Sequence, residues 1–376
     1  MREHAELRAA IKWWQYTASA PGIRAMLDLA KPDLAVSPAQ FDQDPWLFNC
    51  PNGTVDLRTG ELREHRRHDY ITKLCPTEYE PAAACPTWLA FLDTIFGDEN
   101  LIGYVQRLCG YWLTGDVREQ ILPIAWGTGS NGKSTLVNAI MEAFGRDYAI
   151  KVDKAVIVAK DREGHSTERM DLYGVRLGVV TETDDGQRFA EAAVKELTGG
   201  DVIRGRRMRQ DTWEYRPTHK LLLVTNHKPR VKSIDHAFWR RVKLIEFGVT
   251  IPDDKQDKTL PERLKAEYSG ILNWAIRGCL RWQRYGLGEP ESVRNATAQY
   301  RAAEDIIAQF IADRCETGAV RAKKSEAYRE YQEWCKTNGF HPATSTKFTQ
   351  TLGEHGYPLD PCRRWYEGIG LCVETA

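Results

Sequence analysis

The sequence predicts an α/β protein with a parallel-sheet core, preceded by a mostly helical N-terminal domain and followed by a small C-terminal domain. Three observations lead to this prediction. An apolar stretch, a glycine-rich turn and an amphipathic helical pattern follow one another over residues 121–145. Two further apolar stretches, 175–181 and 220–225, alternate with helical patterns, as the strands of a parallel sheet do. The chain of 376 residues is long enough for two or three domains, which we place at 1–115, 116–295 and 296–376.

Each domain has its own pattern of predicted elements. Residues 1–40 read as one or two amphipathic helices, and residues 87–114 are helical again. Between them a turn-rich segment favours short strands near 47–49 and 55–57. After residue 252 the chain is mainly helical. The apolar residues expected to anchor the first helices are Trp13, Trp14, Ile23, Met26 and Leu27.

Composition excludes several classes of protein. Apolar residues make up 42% and charged residues 28%, which is incompatible with a wholly disordered chain. The apolar stretches are far shorter than the ~20 residues of a membrane helix, and no secretory signal is visible. Nine cysteines without a CxxC pair favour a reducing compartment over a disulfide framework or a zinc site. We therefore expect a cytoplasmic protein.

The net charge of zero hides a concentrated basic segment. Residues 195–243 contain thirteen Lys and Arg but only five Asp and Glu. Such a segment in a neutral chain suggests a localised site for a polyanion. A solvated basic face would give the same count, so charge alone leaves both interpretations open.

The glycine-rich turn is a phosphate-binding loop by its sequence. Residues 127–134 fit GxxxxGK[ST] at every fixed position, between the predicted strand and helix. Backbone N–H groups of such a loop surround a phosphate, and the helix N-terminus adds a partial positive charge. Lys133 is expected to reach the β- and γ-phosphates, and the Ser134 hydroxyl to bind Mg²⁺. The residues predicted to bind a nucleoside triphosphate are Gly127, Thr128, Gly129, Ser130, Asn131, Gly132, Lys133, Ser134 and Thr135.

Polar residues follow two of the other predicted strands. Glu182 ends the apolar stretch 177–181 and is the candidate to hold Mg²⁺ and orient the attacking water. Asp184 and Asp185 come directly after it, and their participation is left open. Asn226 ends the stretch 220–225, where a side chain faces the ligand crevice and could hydrogen-bond the γ-phosphate or the water.

Taken together, these segments resemble the superfamily 3 helicases of the AAA+ class, and look most like the helicase half of poxvirus and phage or plasmid primase-helicases. Residues 127–134 match the Walker A motif, 181–182 a Walker B variant with a single acid, 195–209 the B′ motif, and 221–226 the sensor motif. Residues 52–57 and 109–111 resemble the domain that precedes the ATPase in this family. The resemblance covers about residues 41–250.

The resemblance assigns a role to the basic segment. In this family a hairpin before the sensor strand projects into the pore of a hexameric ring and grips single-stranded DNA. Here it would be 202–215, with Trp213 nearby. A simple solvated hairpin is the alternative. The implied DNA-binding residues are Lys195, Arg204, Arg206, Arg207 and Arg209.

Residues 237–244 resemble the segment of the family that carries the arginine finger. An arginine donated to the neighbouring subunit's ATP stabilises charge on the transferring phosphoryl group, with an effect of about 10³–10⁵ in rate. Arg241 is our first choice for this role and Arg240 the second. A structural salt bridge is the competing role for the other arginine.

The last domain fits a winged-helix arrangement. Helical patterns are followed by a possible recognition helix at 344–352 and a possible wing at 357–370, which contains Arg363, Arg364 and Trp365. A purely structural C-terminal cap explains the same pattern about as well.

The resemblance implies an ATP-driven DNA helicase of a phage, prophage or plasmid replication system. It would be a homohexamer that moves 3′→5′ on single-stranded DNA at a replication fork, with ATP and Mg²⁺ as cofactors. Relatives often carry a primase domain, so a separate primase partner is expected, or the chain is a fragment. Two alternatives are a nucleotide-switched origin-binding initiator with little unwinding and a DNA-independent P-loop NTPase.

Overall fold

The computed structural model describes residues 2–159, 167–181, 183–184, 186–205, 213–232 and 235–372. The chain divides into two compact units, one of residues 1–44 and 66–72 and one of 45–65 and 73–376. The helices are α1 Arg2–Thr17, α2 Ala20–Ala30, α3 Pro86–Phe96, α4 Glu99–Leu113, α5 Lys133–Phe144, α6 Thr167–Met170, α7 Glu191–Gly199, α8 His236–Trp239, α9 Leu260–Lys265, α10 Tyr268–Tyr285, α11 Glu291–Glu304, α12 Ile306–Arg314, α13 Lys324–Thr337 and α14 Ser345–Glu354. The strands are β1 Leu47–Cys50, β2 Gly53–Asp56, β3 Glu61–Arg63, β4 Leu122–Trp126, β5 Ala149–Val152, β6 Leu177–Thr181, β7 Ile203–Gly205, β8 Trp213–Tyr215, β9 Lys220–Thr225, β10 Val242–Glu246, β11 Cys315–Lys323 and β12 Trp365–Leu371.

The first unit contains the two predicted N-terminal helices. Ser19 separates them and caps α2, since its hydroxyl accepts a hydrogen bond from the Gly22 N–H at 3.2 Å. The expectation that apolar residues anchor these helices in a core is wrong, because all five are exposed, Trp13 by 69% and Trp14 by 66%. Two short helices bury little apolar area between themselves, so an amphipathic pattern here does not produce a core.

The larger unit is built on a parallel sheet with the strand order β10–β4–β9–β6–β5. All six residues of β9, the middle strand, are buried, as the apolar sequence predicts. The predicted α/β class is therefore confirmed. Strand β5 was not predicted, because it has only four residues and one of them is the exposed Lys151.

A helix that precedes the strands of the parallel sheet in the sequence packs against a helix that follows them. Helix α4 lies against α10, and the Gln106 side-chain amide donates to the Trp274 carbonyl at 2.9 Å. The sheet β1–β2–β3 belongs to the same unit. The boundary at residue 115 stays a prediction, since the two compact units divide the chain elsewhere.

The helices and strands after residue 305 share a hydrophobic cluster of their own, rich in aromatic side chains. Phe310, Tyr331, Phe348 and Tyr366 come from α12, α13, α14 and β12 and are all nearly fully buried. The strand of the predicted wing, β12, pairs antiparallel with β11, which follows α12 and was not predicted as a strand. No described helix has the length and apolar character needed to cross a membrane.

Candidate nucleotide-binding and DNA-binding site

The phosphate-binding loop connects β4 to α5, as the sequence predicts. Gly127 and Gly132 are required by packing: a Cβ atom on Gly127 would lie 2.3 Å from the Asn131 amide nitrogen, and one on Gly132 would lie 2.6 Å from Ile95. Gly132 also has a φ of 81°, which favours glycine. The loop therefore reverses tightly into the N-terminus of α5, where free backbone N–H groups attract a phosphate.

Lys133 is held against the loop by two hydrogen bonds. Its ammonium donates to the Gly127 carbonyl at 2.6 Å and to the Asn131 side-chain oxygen at 3.0 Å. The side chain is 5% exposed, and this burial lowers the pKa of the Lys133 ammonium. Ser134 is exposed and Thr135 half-buried on the first turn of α5. A buried cation beside an open hydroxyl fits a Mg²⁺-bound polyphosphate.

The ends of three neighbouring strands meet at this loop. Strand β9, which ends before Asn226, lies between β4 and β6. Asn226 is exposed, and its carbonyl accepts a hydrogen bond from the Trp126 indole at 3.1 Å. The Thr183 hydroxyl lies 2.5 Å from that of Thr225 and donates to the His227 carbonyl. These bonds fix the segments after β6 and β9 relative to each other.

The acidic residues after β6 are only partly described. Glu182 and Asp185 lie outside the described residues. Asp184 is exposed and pairs with Lys154 at 2.6 Å, and this hydrogen bond and charge lower the pKa of its carboxyl group. Among the residues that the structure describes, no three His, Cys, Asp or Glu side chains gather to hold a metal ion. The assignment of Mg²⁺ to Ser134 and Glu182 stays a prediction.

The structure separates the two arginines proposed for the finger. Arg241 is 7% exposed; its guanidinium donates to the Thr198 hydroxyl at 3.1 Å and also to the Ala237 carbonyl. Burial lowers the pKa of Arg241, with a smaller effect from the charge of Arg240. Arg240 is exposed and donates to the Gln120 side chain at 2.8 Å. The Arg241 side chain thus makes its hydrogen bonds within its own subunit, and the assignment of the finger to Arg241 or Arg240 stays a prediction.

The predicted hairpin is present as the antiparallel pair β7 and β8. Arg204 is opposite Glu214 and pairs with it at 3.0 Å, with both side chains largely exposed. Arg206, Arg207 and Arg209 lie outside the described residues. Lys195 does not belong to the hairpin: it lies on α7 and pairs with Asp235 at 2.6 Å.

Three residues near these sites were not identified from the sequence. Tyr173, 47% exposed, contacts the Trp213 ring edge-to-face at 4.6 Å beside the hairpin. The Lys228 ammonium lies 3.8 Å from the centre of the Trp126 ring, and Thr183 joins the ends of two strands. The position of Lys228 two residues after Asn226 was a usable signal, whereas the contact of Tyr173 depends on the tertiary fold.

Three family models match separate parts of the chain. Residues 1–97 match a model described as D5 N terminal like, residues 125–241 a family of unknown function, and residues 303–357 a model described as Poxvirus D5 protein-like. The first and last of these models lie on either side of the phosphate-binding loop.

Several viral proteins are similar to the chain. One from Acanthamoeba polyphaga mimivirus is 25% identical over 87% of this chain, and one from Invertebrate iridescent virus 6 is 30% identical over 60%; both are named "Putative helicase". A "Putative primase" of African swine fever virus is 22% identical over 79%. The chain spans 37%, 24% and 34% of their respective lengths.

The fold also resembles that of a solved structure. The apo structure of the NrS-1 C terminal region superposes with a TM-score of 0.50, at 12% identity, over 77% of this chain and 68% of that one. The family models and the viral relatives confirm the resemblance to superfamily 3 primase-helicases.

Proposed function

We propose that this chain is an ATP-dependent replicative DNA helicase that hydrolyses ATP between the subunits of a hexameric ring. The observation that carries the proposal is the strand order, in which the sensor strand β9 lies between the phosphate-loop strand β4 and the strand β6 that precedes Glu182. The segments that contain Lys133, Asn226 and Glu182 thereby follow three adjacent strands of the sheet. ATP would be bound, cleaved and sensed at one edge of the sheet.

Each residue of this edge has a separate task in hydrolysis. Lys133, already fixed beside the loop, neutralises charge on the β- and γ-phosphates, and the N–H groups of α5 bind their oxygens. Bound Mg²⁺, held by Ser134 and Glu182, would further neutralise phosphate charge. Glu182 orients the attacking water, and Asn226 hydrogen-bonds the γ-phosphate or that water.

Arg240 is the better candidate to complete the neighbouring subunit's site. Its guanidinium is exposed at the end of α8, and its one hydrogen bond to a described residue, the half-buried Gln120, is easily exchanged for a phosphate contact. Arg241 would hold α8 against α7 through Thr198. This arrangement requires an oligomer, which we propose to be the hexamer typical of the resemblance.

DNA would be gripped by the hairpin. Arg204 neutralises a backbone phosphate after exchanging its exposed partner Glu214, a contact of little energetic weight at a surface. Tyr173 and Trp213 offer aromatic faces to unpaired bases. The relatives are about three to four times as long as the part that this chain matches. A primase would therefore belong either to a longer form of this protein or to a separate partner.

Strand displacement on forked duplexes tests the proposal. The wild type should separate a duplex with a 3′ single-stranded tail and require ATP and Mg²⁺, whereas a duplex with a 5′ tail should remain paired. Mixing in Lys133→Ala subunits should reduce unwinding more steeply than their fraction, since a ring needs all its sites. No displacement on either substrate would contradict the proposal.

An origin-binding role is a second candidate, because of the turn before β12. Arg363, with a φ of 57°, and Arg364 are exposed in this turn between Leu359 and Tyr366, which form a β-bridge. A winged-helix protein presents such a turn to the DNA backbone. Tight binding to one duplex sequence with slow hydrolysis and no strand separation would favour this role.

A further inference from the structure

A basic cleft lies between the segments that follow β6 and β9 and the start of α14, and no described residue of β7 or β8 lines it. Its volume is about 1010 Å³. One wall is formed by the segments that follow β6 and β9, and carries Arg188, Arg230 and Lys232. The opposite wall is formed by the start of α14 and the residues before it, and carries His341 and Lys347. We call this feature the basic cleft.

The two arginines of the cleft are held side by side by the backbone. Arg188 and Arg230 form a parallel β-bridge; the Arg230 N–H donates to the Gln187 carbonyl at 2.7 Å, and the Phe189 N–H donates to the Arg230 carbonyl at 3.0 Å. Both side chains are exposed. Like charges at directly opposite positions repel each other, so this pairing is costly unless an anion lies between them.

Both carboxylates that line the cleft, those of Glu304 and Asp305, accept hydrogen bonds from other residues of the protein. Glu304 accepts a hydrogen bond from the Val231 N–H at 2.8 Å, and burial raises the pKa of its carboxyl group although the charge of Arg230 lowers it. Asp305 caps α12 through the Ala308 N–H and pairs with His355 at 3.1 Å.

The cations of the cleft lack such partners. Among the described residues, the side chains of Arg188, Arg230, Lys232 and Lys347 form no ion pair. The N-terminus of α14, capped by Thr344, adds its partial positive charge to the same wall. The lining of the cleft therefore carries four Lys and Arg side chains against the two carboxylates of Glu304 and Asp305, which leaves a net positive charge.

We propose that the basic cleft binds the phosphate backbone of single-stranded DNA, as a second contact besides the hairpin. Cations on both walls suit an extended polyanion that passes between them, and the half-buried Phe340 lines the same cleft as an aromatic surface for a base. The inference rests on the proposed helicase function, because that function supplies the single strand.

The position of the cleft connects DNA to the nucleotide site. Arg230 lies four residues after Asn226, and Arg188 six residues after Glu182. Their segments are joined by the backbone hydrogen bonds of the bridge and by the Thr183–Thr225 contact. A phosphate bound by both Arg188 and Arg230 would therefore stabilise one arrangement of the two segments. One of these segments follows the predicted sensor Asn226, and the other follows Glu182.

The experiment compares the binding of fluorescein-labelled oligo(dT) at several salt concentrations, with a non-hydrolysable ATP analogue present. The variant Arg188→Ala/Arg230→Ala removes two phosphate contacts, so the slope of log Kd against log salt should fall by about 1.4, and Kd should rise about tenfold at physiological salt. The control Arg263→Ala/Arg284→Ala removes two exposed arginines elsewhere and should bind like the wild type.

Two further variants separate the explanations. Arg188→Lys/Arg230→Lys keeps both charges and should retain the salt slope, which an effect on folding would not predict. Arg204→Ala tests the hairpin by itself. If Arg204→Ala weakens binding and Arg188→Ala/Arg230→Ala does not, the basic cleft is not a DNA contact and the helicase proposal stands. If the wild type shows no salt-dependent binding, both fail. If the double alanine variant loses only binding to a labelled oligoglutamate peptide, the cleft binds an acidic peptide instead.

Discussion

Replacing each of the adjacent arginines at the end of α8 with alanine should produce opposite phenotypes. Arg241→Ala removes two hydrogen bonds made by a buried guanidinium, to Thr198 and to the Ala237 carbonyl. Hydrogen bonds to charged groups contribute about 1.5–3 kcal/mol each, so a loss of about 3 kcal/mol or more is expected. At about 2.1 cal/mol/K of unfolding entropy per residue, a loss of that size in a unit this large should lower the thermal midpoint by about 4 °C or more.

Arg240→Ala should leave the fold intact and remove catalysis. The side chain is exposed and makes one hydrogen bond, to Gln120, so the change in stability should stay within about 0.5 kcal/mol. If this arginine acts on the neighbouring subunit's phosphate, turnover should fall by about 10³-fold or more. ATP binding, measured with a fluorescent analogue, should be retained because the phosphate loop is untouched.

The assay measures thermal unfolding and steady-state hydrolysis for both variants, with Arg263→Ala as the control. Arg263 is also exposed and pairs with Asp257 on the surface, and its loss should change neither quantity. Hydrolysis by Arg240→Ala should reappear in mixed oligomers with Lys133→Ala subunits, which supply an intact arginine. A stable Arg241→Ala variant that binds ATP without hydrolysing it, together with a fully active Arg240→Ala variant, would refute the reasoning.

Three other substitutions test separate parts of the structure. Lys133→Ala should abolish ATP hydrolysis, measured by phosphate release, because the cation beside the loop is lost while the exposed surface of α5 is unchanged. Arg207→Ala should weaken oligo(dT) binding and unwinding but leave basal hydrolysis largely intact; equal loss of both would contradict its place in the DNA grip. Burial lowers the pKa of His219 from 6.5 to about 4. Between these pH values the imidazole binds a proton in the unfolded chain but not in the folded chain. The stabilising contribution of the neutral His219 should therefore be complete above pH 6.5 and fall as the pH is lowered toward 4. The thermal midpoint of His219→Leu should fall less over that range, and parallel pH profiles would show that His219 does not cause the loss.

The central strands and the phosphate loop were predictable because local sequence determines them. Strand β9 coincides with its predicted bounds, and α5 ends at Phe144, directly before Gly145, whose φ is 79°. An uninterrupted apolar run needs a strand buried on both faces, and the spacing of the loop glycines is set by packing against Asn131 and Ile95. The apolar run and the loop spacing are visible in the sequence, whereas the close approach of Ile95 to Gly132 is seen only in the fold.

Other features depend on contacts between distant residues and could not be predicted. Arg240 and Arg241 are identical residues at adjacent positions, and only the turn after α8 directs one toward Thr198 and the other toward Gln120. Strand β11 is largely exposed along its length and is defined by its pairing with β12. The basic cleft likewise arises because a bridge places Arg188 beside Arg230, 42 positions later in the chain.

The most direct test of the account is steady-state ATP hydrolysis with and without single-stranded DNA, at low and high salt. The account predicts strong stimulation by DNA at low salt that weakens as salt is raised, because arginine contacts to phosphates release counterions. Lys133→Ala should show no hydrolysis under any of these conditions. Hydrolysis by the wild type that is indifferent to DNA at both salt concentrations would contradict the coupling of the nucleotide site to DNA and would favour a DNA-independent NTPase.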